Sequence, residues 1–164
     1  MATQQRSRLA ILAGAKKVIT EVGSYESNMM DIADRAEVSR ATIYNHFVDK
    51  EEMMKTLLTS EVERLIEGAK AAPTKIEALT FLSQEISRDA ALAKMVETDH
   101  DDIISLITIT DNPLWIQIHR EIATIFGAGE SATGLILRWL LAQVTSPLPF
   151  DQSRIQATAI ASLL

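Results

Sequence analysis

Apolar residues recur at three- and four-residue steps along most of this chain, the period of helices with one buried face. Leu9, Leu12, Ala15, Ile19 and Val22 form the first such stripe, with Lys17 and Glu21 opposite it. Gly23 follows where a left-handed residue ends a helix, so the spacing predicts a first helix over about 6–22. Asn28 stands where it caps a short second helix carrying Met29, Ile32, Ala33 and Ala36. Val38 and Ser39 interrupt that pattern, and a third helix starting at Ser39 places Ile43 and Phe47 on one face. Asp49 and Glu52 have capping-box spacing ahead of Met53, Met54, Leu57, Leu58, Leu65, Ile66 and Ala69, which predicts a long fourth helix to about residue 70.

Ala71-Ala72-Pro73 breaks the pattern, and Thr74 with Glu77 repeats the capping-box spacing ahead of Ile76, Leu79, Leu82 and Ile86. Beyond it, helices are predicted at about 75–87, 89–97, 101–109, 113–127, 131–145 and 151–164, punctuated by Asn112-Pro113, Gly127-Ala128-Gly129 and Pro147-Leu148-Pro149. Ile103 to Ile109 is rich in β-branched residues, but it lies between helical caps and is read as helix. The expected fold class is all-α. Residues 1–50 form one region and 71–164 another, joined by a long connecting helix over 49–70.

Composition narrows the function. The chain has 164 residues, 47% of them hydrophobic, and no Cys, which excludes disulfides, thiolate catalysis and Cys-ligated metal. Met1 to Arg8 is polar with no apolar run behind it, so a secretory leader is not expected. The most apolar stretch, Leu135 to Val144, is interrupted by Arg138 and Gln143 and is far short of the roughly 20 residues that a bilayer span needs. These features predict a cytoplasmic protein without a membrane partner. Three scattered histidines, His46, His100 and His119, form no catalytic or metal-ligating spacing, so neither an enzyme nor a bound cofactor is expected. The acidic run Glu97, Asp99, His100, Asp101 and Asp102 reads as a helix cap with a favourable dipole interaction rather than a metal site.

Two short helices about three residues apart, the second opening Ser-Arg-Ala-Thr, make a helix-turn-helix candidate within Asp31 to Phe47. Ser39, Arg40, Thr42, Tyr44, Asn45 and His46 supply hydrogen-bonding groups suited to base edges and phosphates, with Ile43 and Phe47 as anchors behind them. The run Ile32-Ala33, Ala36, Val38-Ser39, Thr42-Ile43-Tyr44, His46-Phe47, Lys50-Glu51, with Ala15 and Gly23 before it, resembles the DNA-binding domain of TetR-family transcriptional regulators. The resemblance covers about residues 7–55; the rest matches in architecture alone. It implies a homodimeric repressor reading a palindromic double-stranded DNA operator, relieved by an effector enclosed between helices of residues about 75–127. Arg40 and Asn45 would meet base edges, and Thr42, Tyr44 and His46 would also face DNA. Lys50, Ser27 and Asn28 would approach phosphates, and Arg6 and Arg8 would form a flexible basic arm.

The family usually has Gly in the turn where this chain has Glu37; if that turn needs positive φ, Glu adds strain and a negative charge near the phosphates. The resemblance also implies an apolar effector pocket, for which Phe81, Met95, Ile103, Leu106, Ile107, Trp115, Ile118, His119 and Ile122 are the candidates. Leu135, Ile136, Trp139, Leu140 and Val144, then Ile155, Ala159, Ile160 and Leu163, make two apolar stripes on the terminal helices and are assigned to a dimer interface, with the chain's own core as the alternative. A helical ligand-binding or interaction protein that has lost DNA binding is the competing reading, favoured by Glu37 and a formal charge of -6. The charge is uneven, however. Residues 1–50 hold seven Lys and Arg against six acids, while 51–164 hold nine against sixteen, which predicts a shallow dependence of DNA affinity on salt.

Overall fold

A computed structural model describes residues 2–164, with side chains from residue 4 onward. Among the described residues the chain forms ten α-helices and no strand: α1 (Ala2–Glu26), α2 (Met29–Arg35), α3 (Arg40–His46), α4 (Lys50–Ala71), α5 (Lys75–Ser87), α6 (Ala90–Thr98), α7 (His100–Ile107), α8 (Pro113–Phe126), α9 (Glu130–Thr145) and α10 (Phe150–Ala161). Their starts follow side-chain chemistry. Asn28 accepts from the Met30 and Asp31 amides, Ser39 from Thr42, Thr74 from Glu77 and Asn112 from Trp115, each satisfying N–H groups that a helix leaves without partners. At α4 the Glu52 amide donates to Asp49 Oδ1 at 2.8 Å while Glu52 Oε2 accepts from the Val48 amide at 2.7 Å. The β-branched 103–109 segment is helical through Ile107.

Two compact units emerge. The first gathers the chain up to Glu61 together with Ala90–Ile104. Its core holds Ile11, Leu12, Ala15 and Ile19 of α1, Ile32 and Ala33 of α2, Ile43 of α3, Phe47, Met53 and Leu57 of α4 and Ala91 of α6, with Met95 packed against it. Residues 90–104, which the sequence pattern assigns to the second region, therefore belong with the helix-turn-helix. The second unit comprises Val62–Asp89 and Ser105–Leu164, around Ala69, Leu79, Leu82, Ile122, Phe126, Ile136, Leu140 and Ile160. Buried beside that core, Ser83 hydrogen-bonds Gln143 and, at 2.6 Å, Ser153, while Gln84 Nε2 donates to Ser153 Oγ at 2.6 Å and to the Leu148 carbonyl at 3.1 Å.

Two sequence expectations need correction here. Arg6 and Arg8 do not form a flexible arm: no helix breaker precedes them, and both lie on α1. The Arg8 guanidinium is held 5.0 Å from the centre of the Phe47 ring. The expected dimer stripes also divide. Ile136, Leu140, Val144 and Ile160 are buried within this chain's own second unit, because α9 packs its wide apolar stripe against its neighbours. Leu135, Ile155 and Leu163 stay exposed at 46%, 60% and 70%, and Ala159 with them. Trp139 lies half-buried beside them, its indole N–H donating to Gln156 at 2.7 Å.

Candidate nucleic-acid interface

The reading surface is built from the back forward. Ile43 and Phe47 are fully buried, so the remaining face of α3 must point to solvent. Ser39, Arg40, Tyr44 and Asn45 are exposed, with Thr42 and His46 partly so. Arg40 and Tyr44 are one turn apart and the guanidinium stands 6.0 Å from the phenol ring centre, which restricts both side chains while leaving their polar ends outward. Ser39 accepts from the Thr42 amide at 3.0 Å and its hydroxyl pairs with that of Thr42 at 2.8 Å. Those two hydroxyls start the helix and retain further lone pairs for a ligand.

The turn between α2 and α3 has the hydrogen bonding of a Schellman end: the Glu37 amide donates to Asp34 and the Val38 amide to Ala33, at 3.1 and 3.0 Å. Glu37 has φ +56, the positive value on which the sequence expectation of strain depended. After α8 the same arrangement recurs with Gly127 at φ 58, where no Cβ exists to be strained. Glu37→Gly is therefore expected to relieve about 1 kcal/mol of strain, less a few tenths for the freer unfolded chain. A rise of a few degrees in melting temperature by circular dichroism checks this; unchanged stability together with unchanged DNA affinity refutes it.

Several expected phosphate ligands are engaged internally. Lys50 Nζ donates to the carbonyls of Ser24, Tyr25 and Ser27 at 2.8, 3.0 and 2.9 Å, which uses all three ammonium protons and corrects the reading of Lys50 as a phosphate ligand. Ser27 is buried and its hydroxyl donates to the Ser24 carbonyl at 2.6 Å, so it presents no hydroxyl outward. The Asn28 amide is occupied by the start of α2, its Nδ2 donating to Asp31 at 2.6 Å. Arg35 forms a two-pronged pair with Glu21, Lys16 pairs with Glu61 at 2.7 Å, and Lys55 pairs with Glu51 at 2.6 Å. The Glu51 hydrogen bond and charge raise the Lys55 pKa above its usual value. Among the described residues of α1 to α3, Arg6, Arg8, Lys17 and Arg40 show no carboxylate partner.

Lys50→Met separates the two roles. It leaves three carbonyls without a donor, and a loss of about 1–2 kcal/mol, seen as a melting temperature lower by roughly 5 °C, is expected. The slope of log affinity against log salt should stay unchanged. A slope shallower by about 0.9 per subunit would instead restore Lys50 as a phosphate contact.

The expected effector lining is divided. Phe81, Trp115, Ile118 and Ile122 share the core of the second unit, whereas Met95 and Ile103 lie in the first. Leu106, Ile107 and His119 are partly buried. Open clefts of about 400 Å³, between α1 and α4 beside Leu9, Leu12 and Leu57, and of about 300 Å³, beside Pro73 and Ile125, include none of these nine residues. No helix among the described residues is long and apolar enough to cross a membrane.

Comparison with known proteins places this geometry. Residues 11–57 match the family model of bacterial regulatory proteins, tetR family. The transcriptional regulator UidR of Escherichia coli K12 is 27% identical over 95 residues, 54% of this chain and 48% of that protein. The chain thus spans about half the length of the UidR relatives that it matches. The TetR-family repressor AlkX of a Dietzia species superposes with TM-score 0.64 at 20% identity, covering 95% of this chain and 94% of that one. FadR of Bacillus subtilis, solved in complex with stearoyl-CoA, does so with TM-score 0.54 at 22% identity, covering 94% and 96%. At these identities the solved structures speak for the fold alone, and the family model matches the helix-turn-helix segment. From α1 into α4, then, the chain matches the tetR family model, and along the rest its all-helical fold is similar to that of solved TetR-family structures.

Proposed function

We propose that this protein is a sequence-specific, DNA-binding transcriptional regulator, a cytoplasmic homodimer that represses at a palindromic operator and is released by an apolar small-molecule effector. The observation that carries the reading is the outward face of α3, where Arg40, Tyr44 and Asn45 stand exposed over an anchor of fully buried Ile43 and Phe47. Arg suits the two acceptors of guanine and Asn the donor and acceptor of adenine, while Ser39, Thr42 and His46 lie beside them for phosphates. Arg6, on the first turns of α1, adds positive charge. Exposed Leu135, Ile155, Ala159 and Leu163 support self-association, since one chain leaves that apolar stripe uncovered.

The second unit supplies the apolar surroundings for an effector, with Phe81, Trp115, Ile118 and Ile122 on one core. An effector acts only through its differential affinity for two arrangements of the recognition helices. The long α4 offers a route, because its first half carries Met53 and Leu57 of one core and its second half Ala69 of the other. The test is selection of genomic fragments with the purified protein, followed by footprinting. Two protected half-sites about one helical turn apart are expected. Glu37 at positive φ favours a second reading, a helical ligand-binding protein that no longer reads DNA; retention of no fragment would establish it in place of the first.

A further inference from the structure

The last residues of α1, beyond the non-helical Gly23, and the Ser27 that follows them are held from two sides. Lys50, at the start of α4, takes the carbonyls of Ser24, Tyr25 and Ser27. Asp99, between α6 and α7, takes the amides: its Oδ2 accepts from Ser24 N–H at 2.7 Å and its Oδ1 from Tyr25 N–H at 3.2 Å. Asp102 adds a bond from the Ser24 hydroxyl at 2.5 Å. An acid just before a helix ordinarily caps that helix, yet Asp99 turns its carboxylate to α1 and is buried there. The approach requires Gly23. Its φ of 86 and ψ of 174 lie where other residues are essentially excluded, and a Cβ would run into Thr98 Oγ1 and the Asp99 carboxylate.

We propose that Asp99 is a positioning residue for DNA reading, its carboxylate holding residues 24–27 and, through them, the α2–α3 pair against the part of α1 before Gly23. This rests on the DNA-binding function proposed above. Asp99 lies outside residues 11–57, so the family's DNA-reading motif is completed in this chain by a side chain from a later helix junction. A buried carboxylate accepting consecutive backbone amides makes short, charge-assisted bonds, which fix a segment's direction as well as its place. The recognition helix inherits that direction, because Ile32 and Ala33 of α2 and Ile43 of α3 share one core with α1.

Electrostatics and positioning predict opposite signs. Removing a negative charge from a DNA-binding protein strengthens its attraction to DNA; removing the holder of the recognition unit weakens binding. The experiment compares Asp99→Asn with Asp101→Asn, an exposed neighbour with the same change of charge. The 164-residue chain is used, with the genomic fragment retained by the parent as probe. For Asp99→Asn we expect amide exchange at Ser24 and Tyr25 at least tenfold faster and a Kd about tenfold weaker. The fraction of active protein in a stoichiometric titration should be unchanged. Asp101→Asn should bind as well as the parent or slightly better. Unchanged exchange overturns the proposal, as does faster exchange with unchanged or tighter Kd. A lower active fraction at parental Kd also overturns it, since that is the signature of a folding defect alone. Should Asp99→Asn fail to fold, Asp99→Glu keeps the charge and should fall between parent and Asn in both readouts; parental values would overturn the proposal. If the parent retains no fragment, the DNA-binding function fails, and amide exchange alone then decides whether Asp99 holds the segment.

Discussion

Ile155→Asp combined with Leu163→Asp is expected to convert the protein from about twice its 18.1 kDa chain mass to a monomer, and to weaken operator binding at least about a hundredfold. Both side chains are more than half exposed in the single chain, so a carboxylate at either position stays hydrated there and costs the fold little. In a dimer joined through this stripe, symmetry would bring each new charge to the interface twice, buried and without a partner, at a penalty of several kcal/mol. A monomer then grips one half-site and forfeits the second. Light scattering reads the mass, and an unchanged melting temperature shows that the chain remains folded. A dimer that survives both substitutions would move the interface away from α9 and α10. The comparison variant is Ile136→Asp, which strikes the chain's own core and should unfold it.

The second large effect is expected from Arg40→Ala. A two-pronged contact between arginine and guanine is worth about 1–3 kcal/mol of discrimination, and a dimer makes it twice, so a loss of at least about thirtyfold in operator affinity follows. The variant should also accept substitutions at one base pair in each half-site that the parent rejects. Tyr44→Ala removes the ring beneath the guanidinium and should cost less, through looser placement of Arg40 as well as through its own hydroxyl. Retardation of the selected fragment measures both. Parental affinity and parental base preference in Arg40→Ala would show that α3 does not read this DNA.

Helix positions were legible because caps and breakers are local. Asn28, Ser39, Thr74 and Asn112 each begin a helix through a bond to an amide two or three residues ahead, so their spacing in the sequence is already the geometry. The positive φ at Glu37 was anticipated only through the resemblance, which has Gly at that turn. What a side chain does across tens of residues was not legible. Lys50 meets carbonyls more than twenty positions earlier, and Asp99 reaches amides about seventy-five positions away. A lysine at a helix start and an acid in an acidic run look the same whether they face solvent or backbone. Stripe width set another limit. On α9, Ile136 and Leu140 face inward while Leu135 does not, and a helix with apolar residues on both faces does not declare from its sequence which belongs to its own core. Ser83, Gln143 and Ser153 carried no signal, since polar residues that satisfy one another in a core resemble surface residues when taken singly.

The engaged cations of the first unit bear on how such a regulator would find its site. Non-specific attraction to DNA grows with every lysine or arginine able to displace a counterion, and a genome offers about 10⁶ or more competing positions. With Lys16, Arg35, Lys50 and Lys55 already held by carboxylates or carbonyls, the protein gives up part of that indiscriminate adhesion. Few copies would then be sequestered on irrelevant sequence. Occupancy of the operator would depend on the ratio of correct to incorrect binding at the face of α3, and a modest number of molecules per cell would suffice to keep one promoter covered.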